Sequence, residues 1–418
     1  MNVEFYSSNI ILNFAMVISF ISFIALLLMF IIVIASFFKK HKRYDFSPNI
    51  SILIPAYNEE KTISRTLRAV LNSNYDKNKL EIVVIDDGST DSTRDIVKKF
   101  KKVRLLESDH AGKSKALNFG LKKAKYRYIL SLDADSIIQK NFIPEIVKPF
   151  KDKSVGATNG IALIDKPGSF IQFFQVVDFH FINLIRHSFS KVFSNSIWFF
   201  GAAACYDKKV LDKIGYFSKK VLTEDLDIYF RINNEKYKVI TPKNAVYYTR
   251  GPGTIKDLIN QRMRWFYGGV QCILKHKYLF GGKSGFEINF LFANQFIWTF
   301  TSIANIFLVI YQVLLWLPSG LKNRLFYLFR WFSLSGPIYL IYMIPKWGVS
   351  FVSIFGILSG LLSPLFVIVS WKVFKIKPKL IYFIAIFFYY PYTLLLNLAA
   401  LFSFIVYGFK LKKSYFID

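Results

Sequence analysis

Two aspartates separated by one residue follow an apolar run at residues 128–132. The run has the composition of a buried β-strand, and Asp133 and Asp135 come directly after it. Because side chains alternate along a strand, residues i and i+2 share a face, so the two carboxylates can converge on one point. Close carboxylates repel each other unless a cation lies between them, and Mg²⁺ or Mn²⁺ combines carboxylates with phosphate oxygens. The pair predicts a metal–diphosphate site, although Asp-x-Asp by itself is more typical of a turn.

Two further polar clusters follow earlier apolar runs. The strand predicted at 50–55 precedes Tyr57 and Glu59, and the strand predicted at 81–85 precedes Asp87. In sheets of the α/β class, ligands bind outside the carboxyl ends of the strands. We therefore expect these two clusters and the aspartate pair to face one crevice.

An acidic segment at 222–227 supplies another group that could do chemistry. Thr223 is a suitable N-cap, which places Glu224 and Asp225 in the first turn of a helix. Acidic side chains at this position can simply complement the helix dipole. The functional interpretation is a general base directed at the crevice.

A helical stretch predicted from about Thr254 to Phe280 contains Gln261, Arg264 and Trp265 at positions i, i+3 and i+4. These three side chains share one helix face. Arginine contacts phosphate oxygens through its planar fork, and an indole offers a flat apolar surface to a sugar. The alternative is an amphipathic helix at a membrane surface, with the arginine snorkelling and the tryptophan anchored.

The elements that must position these residues alternate between apolar strands and amphipathic helices. This order predicts an α/β domain with a largely parallel sheet. A helix at 61–72 and a strand at 155–163 are part of the pattern. The aromatic segment 169–190 could pack in the core or lie on the membrane, and we favour the membrane surface. Small residues at 201–204 allow either close approach by a ligand or another backbone, or tight core packing.

Composition distinguishes between two explanations for the high positive charge of the chain. The sequence has 418 residues, 53% of them hydrophobic, and a net charge of +28. Such charge suits nucleic acid or an anionic membrane surface. Long uncharged apolar runs favour the membrane, and no nucleic-acid-binding motif is present. Two cysteines provide neither a disulfide framework nor a metal motif.

Residues 9–38 carry no charged side chain and are followed by basic residues at 39–43. The run exceeds the roughly 20 residues that a bilayer requires. The positive-inside rule predicts a helix that runs from outside to cytoplasm, which makes residues 44–286 cytosolic.

Three clear spans follow, at 290–317, 349–371 and 380–408, and a weaker one lies at 325–344. Counting the weak segment gives five spans and a cytosolic C-terminus, and omitting it gives four. The predicted organisation is an N-terminal membrane helix with its basic flank, a catalytic domain, an interface helix and three or four C-terminal membrane helices. The corresponding ranges are 1–43, 44–253, 254–286 and 287–418.

Six motifs occur in the order typical of one family and cover residues 50–269. They are Ala56-Tyr57-Asn58-Glu59, Asp86-Asp87-Gly88-Ser89, Gly112-Lys113-Ser114-Lys115-Ala116-Leu117-Asn118, Asp133-Ala134-Asp135, Thr223-Glu224-Asp225 and Gln261-Arg262-Met263-Arg264-Trp265. Together they resemble the membrane-embedded inverting glycosyltransferases of family 2. That family has a Rossmann-like GT-A catalytic domain, and its processive members make cellulose, hyaluronan, chitin or poly-N-acetylglucosamine. Chain length and the single N-terminal helix look most like the bacterial poly-N-acetylglucosamine synthases.

The resemblance implies a pocket for the uridine and the diphosphate of a UDP-sugar. Its expected donor-binding residues are Tyr57, Glu59, Asp87, Lys115, Asp133 and Arg264. Asp133 and Asp135 would hold Mg²⁺ or Mn²⁺. Asp225 would be the catalytic base, with Glu224 beside it, and Gln261 and Trp265 would place the acceptor sugar.

The implied activity is metal-dependent transfer of a hexose, with inversion, from a UDP-sugar to a growing extracellular polysaccharide. UDP-GlcNAc is the favoured donor. The alternative is a single transfer to a lipid such as a polyprenyl phosphate or a diacylglycerol. A non-catalytic membrane scaffold would lack some expected carboxylates, and none is missing. Where the family often has Gly-Ser on the acceptor side, this chain has Gly201-Ala202, so the acceptor stays open.

The resemblance also implies partners and a place in the cell. The expected partners are the UDP-sugar donor, the polysaccharide or lipid acceptor, membrane lipids and a small membrane accessory subunit, with no nucleic acid. The expected location is the plasma membrane, spanned several times, with the catalytic domain in the cytoplasm.

Overall fold

The computed structural model describes residues 5–40, 44–110, 112–281 and 285–408. An α/β domain occupies the middle of the chain, between one long N-terminal helix and a helical C-terminal part. The predicted basic residues at 41–43 and the tail at 409–418 lie outside the described residues.

Ten strands occur in the described part of the chain. They are β1 Ile50–Ala56, β2 Leu80–Asp86, β3 Arg104–Glu107, β4 Tyr128–Leu132, β5 Ile137–Ile138, β6 Val155–Asn159, β7 Ile161–Ile164, β8 Ala203–Asp207, β9 Lys238–Ile240 and β10 Val246–Thr249. Seven form a sheet in the order β3-β2-β1-β4-β8-β6-β9, and β5-β10-β7 form a smaller one. In the large sheet only β8 runs antiparallel to its neighbours. Strands β1 and β4 are buried almost throughout, as continuous apolar runs predict for a parallel sheet.

The prediction of a single strand at 155–163 is wrong, because this segment forms two strands that belong to different sheets. Gly160 lies between β6 and β7. A Cβ added to Gly160 would come within 2.6 Å of the Phe142 ring and 2.8 Å of the Tyr247 ring. The chain therefore passes from one sheet to the other where only glycine fits, and apolar periodicity does not report this.

Fifteen helices accompany the described strands. They are α1 Phe5–Phe38, α2 Ile63–Leu71, α3 Thr93–Lys98, α4 Lys113–Lys123, α5 Phe142–Val147, α6 Phe170–Phe193, α7 Lys208–Ile214, α8 Glu224–Asn234, α9 Ile255–Lys275, α10 Phe286–Trp316, α11 Leu321–Trp331, α12 Ser335–Trp347, α13 Phe351–Phe374, α14 Leu380–Phe387 and α15 Tyr389–Gly408.

Four described helices are long and apolar enough to cross a membrane, judged by length and composition. The qualifying segments are Asn13–Phe38, Phe286–Leu315, Ser353–Phe374 and Tyr389–Val406. We refer to α1, α10, α13 and α15 as the membrane helices. The weak segment at 325–344 is divided between α11 and α12, and each is too short to span about 30 Å of hydrocarbon. The four-span alternative therefore agrees with the structure. The four domain ranges stay a prediction.

Helix α6 is not a surface helix, contrary to the preference stated for residues 169–190. A capping box between Ser169 and Gln172 starts it. Most of its side chains from Phe174 onward are buried, and the helix contacts α1, α13, α14 and β7. Its aromatic side chains pack against the α/β domain on one side and the membrane helices on the other, so apolar neighbours cover the helix.

Candidate functional site

A cavity of about 3230 Å³ begins at the carboxyl ends of β1, β2 and β4 and continues among the membrane helices. Every site residue predicted from the sequence lines it. These are Tyr57, Glu59, Asp87, Lys115, Asp133, Asp135, Glu224, Asp225, Gln261, Arg264 and Trp265. The structure thus brings together side chains that are up to 208 positions apart in the sequence (265 minus 57). Their individual roles stay predictions.

The pocket at the carboxyl end of β2 contains Asp87, whose carboxylate is held by two hydrogen bonds. One oxygen of this buried carboxylate accepts a hydrogen bond from the Ser108 hydroxyl at 2.8 Å, and the other accepts one from the Gly112 backbone N–H at 2.7 Å. Gly112 has φ +87°, a conformation that favours glycine. The ring of His110 lies over that of Tyr57, with centroids 4.3 Å apart. Two aromatic rings beside a fixed carboxylate suit a nucleobase.

Asp135, the second aspartate of the pair, is strongly affected by its surroundings. Burial, and then the negative charges of Asp133 and Glu59, raises the pKa of Asp135 to about 7. The site is therefore short of positive charge, which a bound divalent cation would supply. No group of three or more His, Cys, Asp or Glu side chains suited to a metal occurs in the described part of the chain. Two carboxylates would leave most coordination positions of a bound divalent cation open to other oxygen ligands.

Lys113 is a site residue that the sequence analysis missed. Its ammonium lies 2.7 Å from an Asp133 oxygen and 3.5 Å from a Glu224 oxygen. Burial alone would lower the pKa of this ammonium, but Asp133 and then Glu224 outweigh burial and raise it. Lys113 therefore stays charged and connects the aspartate pair to the start of α8. Its position as the first residue of α4, directly after Gly112, was the available signal.

Asp225 is held by two backbone groups. The Gly201 N–H donates to one carboxylate oxygen and the Leu226 N–H to the other, each at 2.8 Å. Burial, and then the charge of Glu224, raises the pKa of Asp225 to about 6. The carboxylate is thus fixed in the cavity with a proton affinity suited to a general base near neutral pH.

Gly201 explains why small residues follow Phe200. A Cβ added to Gly201 would lie 2.6 Å from the Cβ of Asp225. The absence of a side chain at Gly201 therefore allows close approach of the Asp225 side chain. Thr223 occupies the N-cap position of α8, but its side chain makes no capping hydrogen bond.

Helix α9 is fixed by Arg262, another residue that the sequence analysis missed. Its guanidinium lies 2.6 Å from an Asp178 oxygen on α6 and donates to the Tyr392 hydroxyl on α15 at 3.2 Å. The same group lies 4.3 Å from the Trp265 ring. Burial raises the pKa of Asp178 although Arg262 opposes the shift. This buried network ties the helix that carries Gln261 and Trp265 to the membrane helices.

We expect Asp178→Asn to destabilise the protein. The substitution leaves the Arg262 charge buried without a carboxylate, and breaking a buried ion pair costs about 3–5 kcal/mol. The matched control is Asp165→Asn, which breaks the exposed pair with Arg65 and should cost no more than about 1 kcal/mol. Thermal unfolding in detergent measures both. Equal midpoints for the two variants would contradict a role for this network in stability.

Comparisons with known proteins bear on the fold of the α/β domain. Residues 51–215 match the family described as Glycosyl transferase family 2. Residues 51–215, which lie between the membrane helices α1 and α10, are therefore similar to family 2 glycosyltransferases. The mannosyltransferase PcManGT from Pyrobaculum calidifontis, solved in complex with GDP-Man and Mn²⁺, has a similar fold. The TM-score is 0.61 at 22% identity, over 85% of this chain and 99% of that one. The predicted GT-A fold is confirmed.

Similar proteins by sequence include two enzymes with the same name. The poly-beta-1,6-N-acetyl-D-glucosamine synthase of Staphylococcus epidermidis is 32% identical over 233 residues, which are 54% of this chain and 56% of that protein. The enzyme of the same name from Staphylococcus aureus strain COL is 30% identical over the same lengths. The match spans about half the length of these relatives.

Proposed function

We propose that this chain is an inverting glycosyltransferase that transfers a sugar from a UDP-sugar to a growing polysaccharide. The donor that we favour is UDP-GlcNAc. The observation that carries the proposal is the position of Asp225. It lies in one cavity with Asp87 and with the pair Asp133 and Asp135. The names of the sequence relatives support GlcNAc as the sugar and a polymer as the product.

Donor binding places the nucleotide at the carboxyl ends of β1 and β2. The uracil ring would stack near Tyr57 and its partner His110, and Asp87 would accept hydrogen bonds from the nucleoside. Asp133 and Asp135 would hold Mg²⁺ or Mn²⁺, an ion that supplies positive charge to the diphosphate. Their oxygen-only ligands and the raised pKa of Asp135 suit a hard divalent cation.

Transfer needs one proton acceptor and a stabilised leaving group. Asp225 would take the proton of the acceptor hydroxyl while that oxygen forms a bond to the anomeric carbon. The bond from this carbon to the diphosphate breaks on the opposite side, so the configuration inverts and UDP leaves. Lys113 and Arg264 supply positive charge near the leaving diphosphate, and such fixed charge stabilises the transition state. Trp265 offers its ring face to the acceptor sugar.

We also propose the orientation and the partners. Basic residues follow α1, so the positive-inside rule places the catalytic domain in the cytoplasm, where UDP-sugars are made. Lipids would surround the four membrane helices. A small accessory subunit stays a prediction with no support beyond the resemblance.

A donor screen tests the function. We expect purified protein in lipid with Mg²⁺ or Mn²⁺ to release UDP from UDP-GlcNAc and to yield a ladder of polymer sizes. UDP-glucose, UDP-galactose and UDP-glucuronic acid are the comparison donors, and chelation of the metal with EDTA should abolish turnover. A single sugar on a lipid would instead establish the single-transfer alternative. Release of UDP from none of the four donors would overturn the proposal.

A further inference from the structure

Helices α11 and α12 form a hairpin between the membrane helices α10 and α13. We call residues 321–347 the inserted hairpin. Helix α12 packs against α13, and α11 packs against α12. With 11 and 13 residues, the two helices are about 16 and 20 Å long, roughly half to two thirds of a bilayer's hydrocarbon thickness of about 30 Å. The hairpin can therefore enter the membrane and return, but neither helix crosses it.

The tip of the inserted hairpin lies at the depth of the middle of α13. A Cβ added to Gly360 would be 2.6 Å from Pro337 in the first turn of α12. Gly360 lies well inside the membrane segment Ser353–Phe374. At the tip itself, the Leu334 N–H donates to the Phe387 carbonyl at 2.9 Å. Non-helical backbone at such depth is tolerated where it lines a cavity, and the tip lines the large cavity described above.

Arg330 stands in the last turn of α11, next to this tip, and also lines the cavity. Its guanidinium lies 4.0 Å from the Tyr339 ring, and its Nε donates to the Phe326 carbonyl at 3.3 Å. Within the described residues, its two terminal nitrogens donate to no protein group, and no carboxylate lies within 4.0 Å. The sequence contains no Asp or Glu from 288 to 417, so the helical C-terminal part offers almost no acidic side chain as a counter-ion.

An unpaired arginine at membrane depth is costly and usually marks a functional site. The guanidinium fork matches two oxygens of one phosphate, and an aromatic ring beneath it leaves the fork free to bind. Apolar side chains flank the arginine on the outside of the hairpin, where Phe326 and Phe329 are exposed. We propose that Arg330 binds the phosphate of an anionic membrane lipid, whose acyl chains lie along the inserted hairpin.

A lipid fits these observations better than a soluble anion. The exposed apolar surface continues from α11 to α12, where Ile338 and Ile341 also face outward. A free phosphate ion would use the fork and leave this surface unused. The proposed lipid site adds to the sugar-transfer function and does not depend on it.

Native mass spectrometry of the full-length protein tests the proposal. Delipidated protein in detergent is titrated with phosphatidylglycerol or with zwitterionic phosphatidylcholine. We expect one phosphatidylglycerol to be retained at concentrations at which phosphatidylcholine is not. Arg330→Gln should raise the Kd for phosphatidylglycerol about tenfold, which is the size expected for loss of a charge-assisted contact.

Arg324→Gln is the matched control. Arg324 is an exposed arginine on the same helix, and its Nε donates to the Pro318 carbonyl at 3.1 Å. Arg324 does not line the cavity. The Kd of the Arg324→Gln variant for phosphatidylglycerol should therefore stay within about twofold of the wild-type value. Equal losses for the two variants would show a general surface charge effect and overturn the proposal, as would equal retention of both lipids.

Two further experiments test whether the site prefers a free anion and whether the planar guanidinium is needed. Inorganic phosphate is added to the wild-type protein at millimolar concentration. A phosphate adduct that displaces the lipid would identify a free-anion site and overturn the lipid proposal. Arg330→Lys keeps the charge but loses the planar fork, so it should bind phosphatidylglycerol with intermediate affinity. This variant decides the question if Arg330→Gln does not fold, because wild-type affinity for Arg330→Lys would exclude recognition by the fork.

Discussion

Asp225→Asn should lower turnover by about 10²–10⁴-fold, because that is the usual contribution of a general base. An asparagine amide cannot accept the proton of the acceptor hydroxyl. The loss should fall on kcat, since the proposed base would act after the donor is bound. Release of UDP from UDP-GlcNAc under saturating substrate measures it.

Binding of the nucleotide separates chemistry from folding in this variant. The asparagine side chain keeps one acceptor oxygen, so either the Gly201 N–H or the Leu226 N–H loses its partner. The cost of one such bond is about 1–3 kcal/mol, which a folded protein can tolerate. We expect the Kd for UDP, measured by calorimetry, to stay close to wild type. Turnover of Asp225→Asn at the wild-type rate would exclude this residue as the base.

The pH dependence of kcat/KM follows from the same carboxylate. The base must be ionised to accept a proton, and burial together with Glu224 raises its pKa to about 6. As the pH falls through 6, the carboxylate of the free enzyme becomes protonated and kcat/KM should decline, by about tenfold for each further pH unit. Above pH 7 this group is ionised and should impose no limit. A rate that stays flat down to pH 5 would show that Asp225 is not the group that limits activity.

The parts of the site that the sequence predicts are those set by strand ends and helix starts. Apolar runs fix where β1, β2 and β4 end, and parallel strands bring those ends to one edge, so Asp87 and Asp133 could be placed together in advance. The place of Asp225 in the first turn of a helix was predictable, because Thr223 just before it is a candidate N-cap residue. Each of these inferences uses information within a few residues of the site.

The missed features depend on packing between distant segments. Lys113 connects Asp133 to Glu224, and no local pattern states that α4 and α8 begin beside each other. Arg262 belongs to the same motif as Gln261 and Arg264, yet its partner Asp178 lies 84 positions away. The burial of α6 has the same origin, because an aromatic helix face looks alike whether lipid or another helix covers it.

Hydropathy also failed to distinguish a weak span from the inserted hairpin. Averaging over 325–344 combines the end of α11 with most of α12, although the chain turns back between them. The turn at Ser333 and Leu334 is stabilised by a backbone bond to Phe387, 53 positions from Leu334. Composition reports how apolar a segment is, and tertiary contacts decide whether it continues through the membrane.

Gly201→Ala should lower kcat by about 100-fold, although the substitution adds only one methyl group. The new Cβ would lie 2.6 Å from the Cβ of Asp225, so one of the two segments must move. A displacement near 1 Å of a catalytic group commonly costs about 10²-fold in rate. Gly168→Ala is the matched control, because its added Cβ meets nothing within 4 Å and Gly168 does not line the cavity.

A pH profile distinguishes displacement of the base from a general loss of structure. The Gly201 N–H lowers the pKa of Asp225 by donating to its carboxylate, while burial and Glu224 raise it. If the added methyl group pushes Asp225 away, this hydrogen bond weakens and the pKa of the carboxyl rises. The acid limb of kcat/KM should therefore move to higher pH in Gly201→Ala and stay in place in Gly168→Ala. A variant that loses activity with an unmoved limb would show that Gly201 does not act through Asp225 and would indicate a general loss of structure.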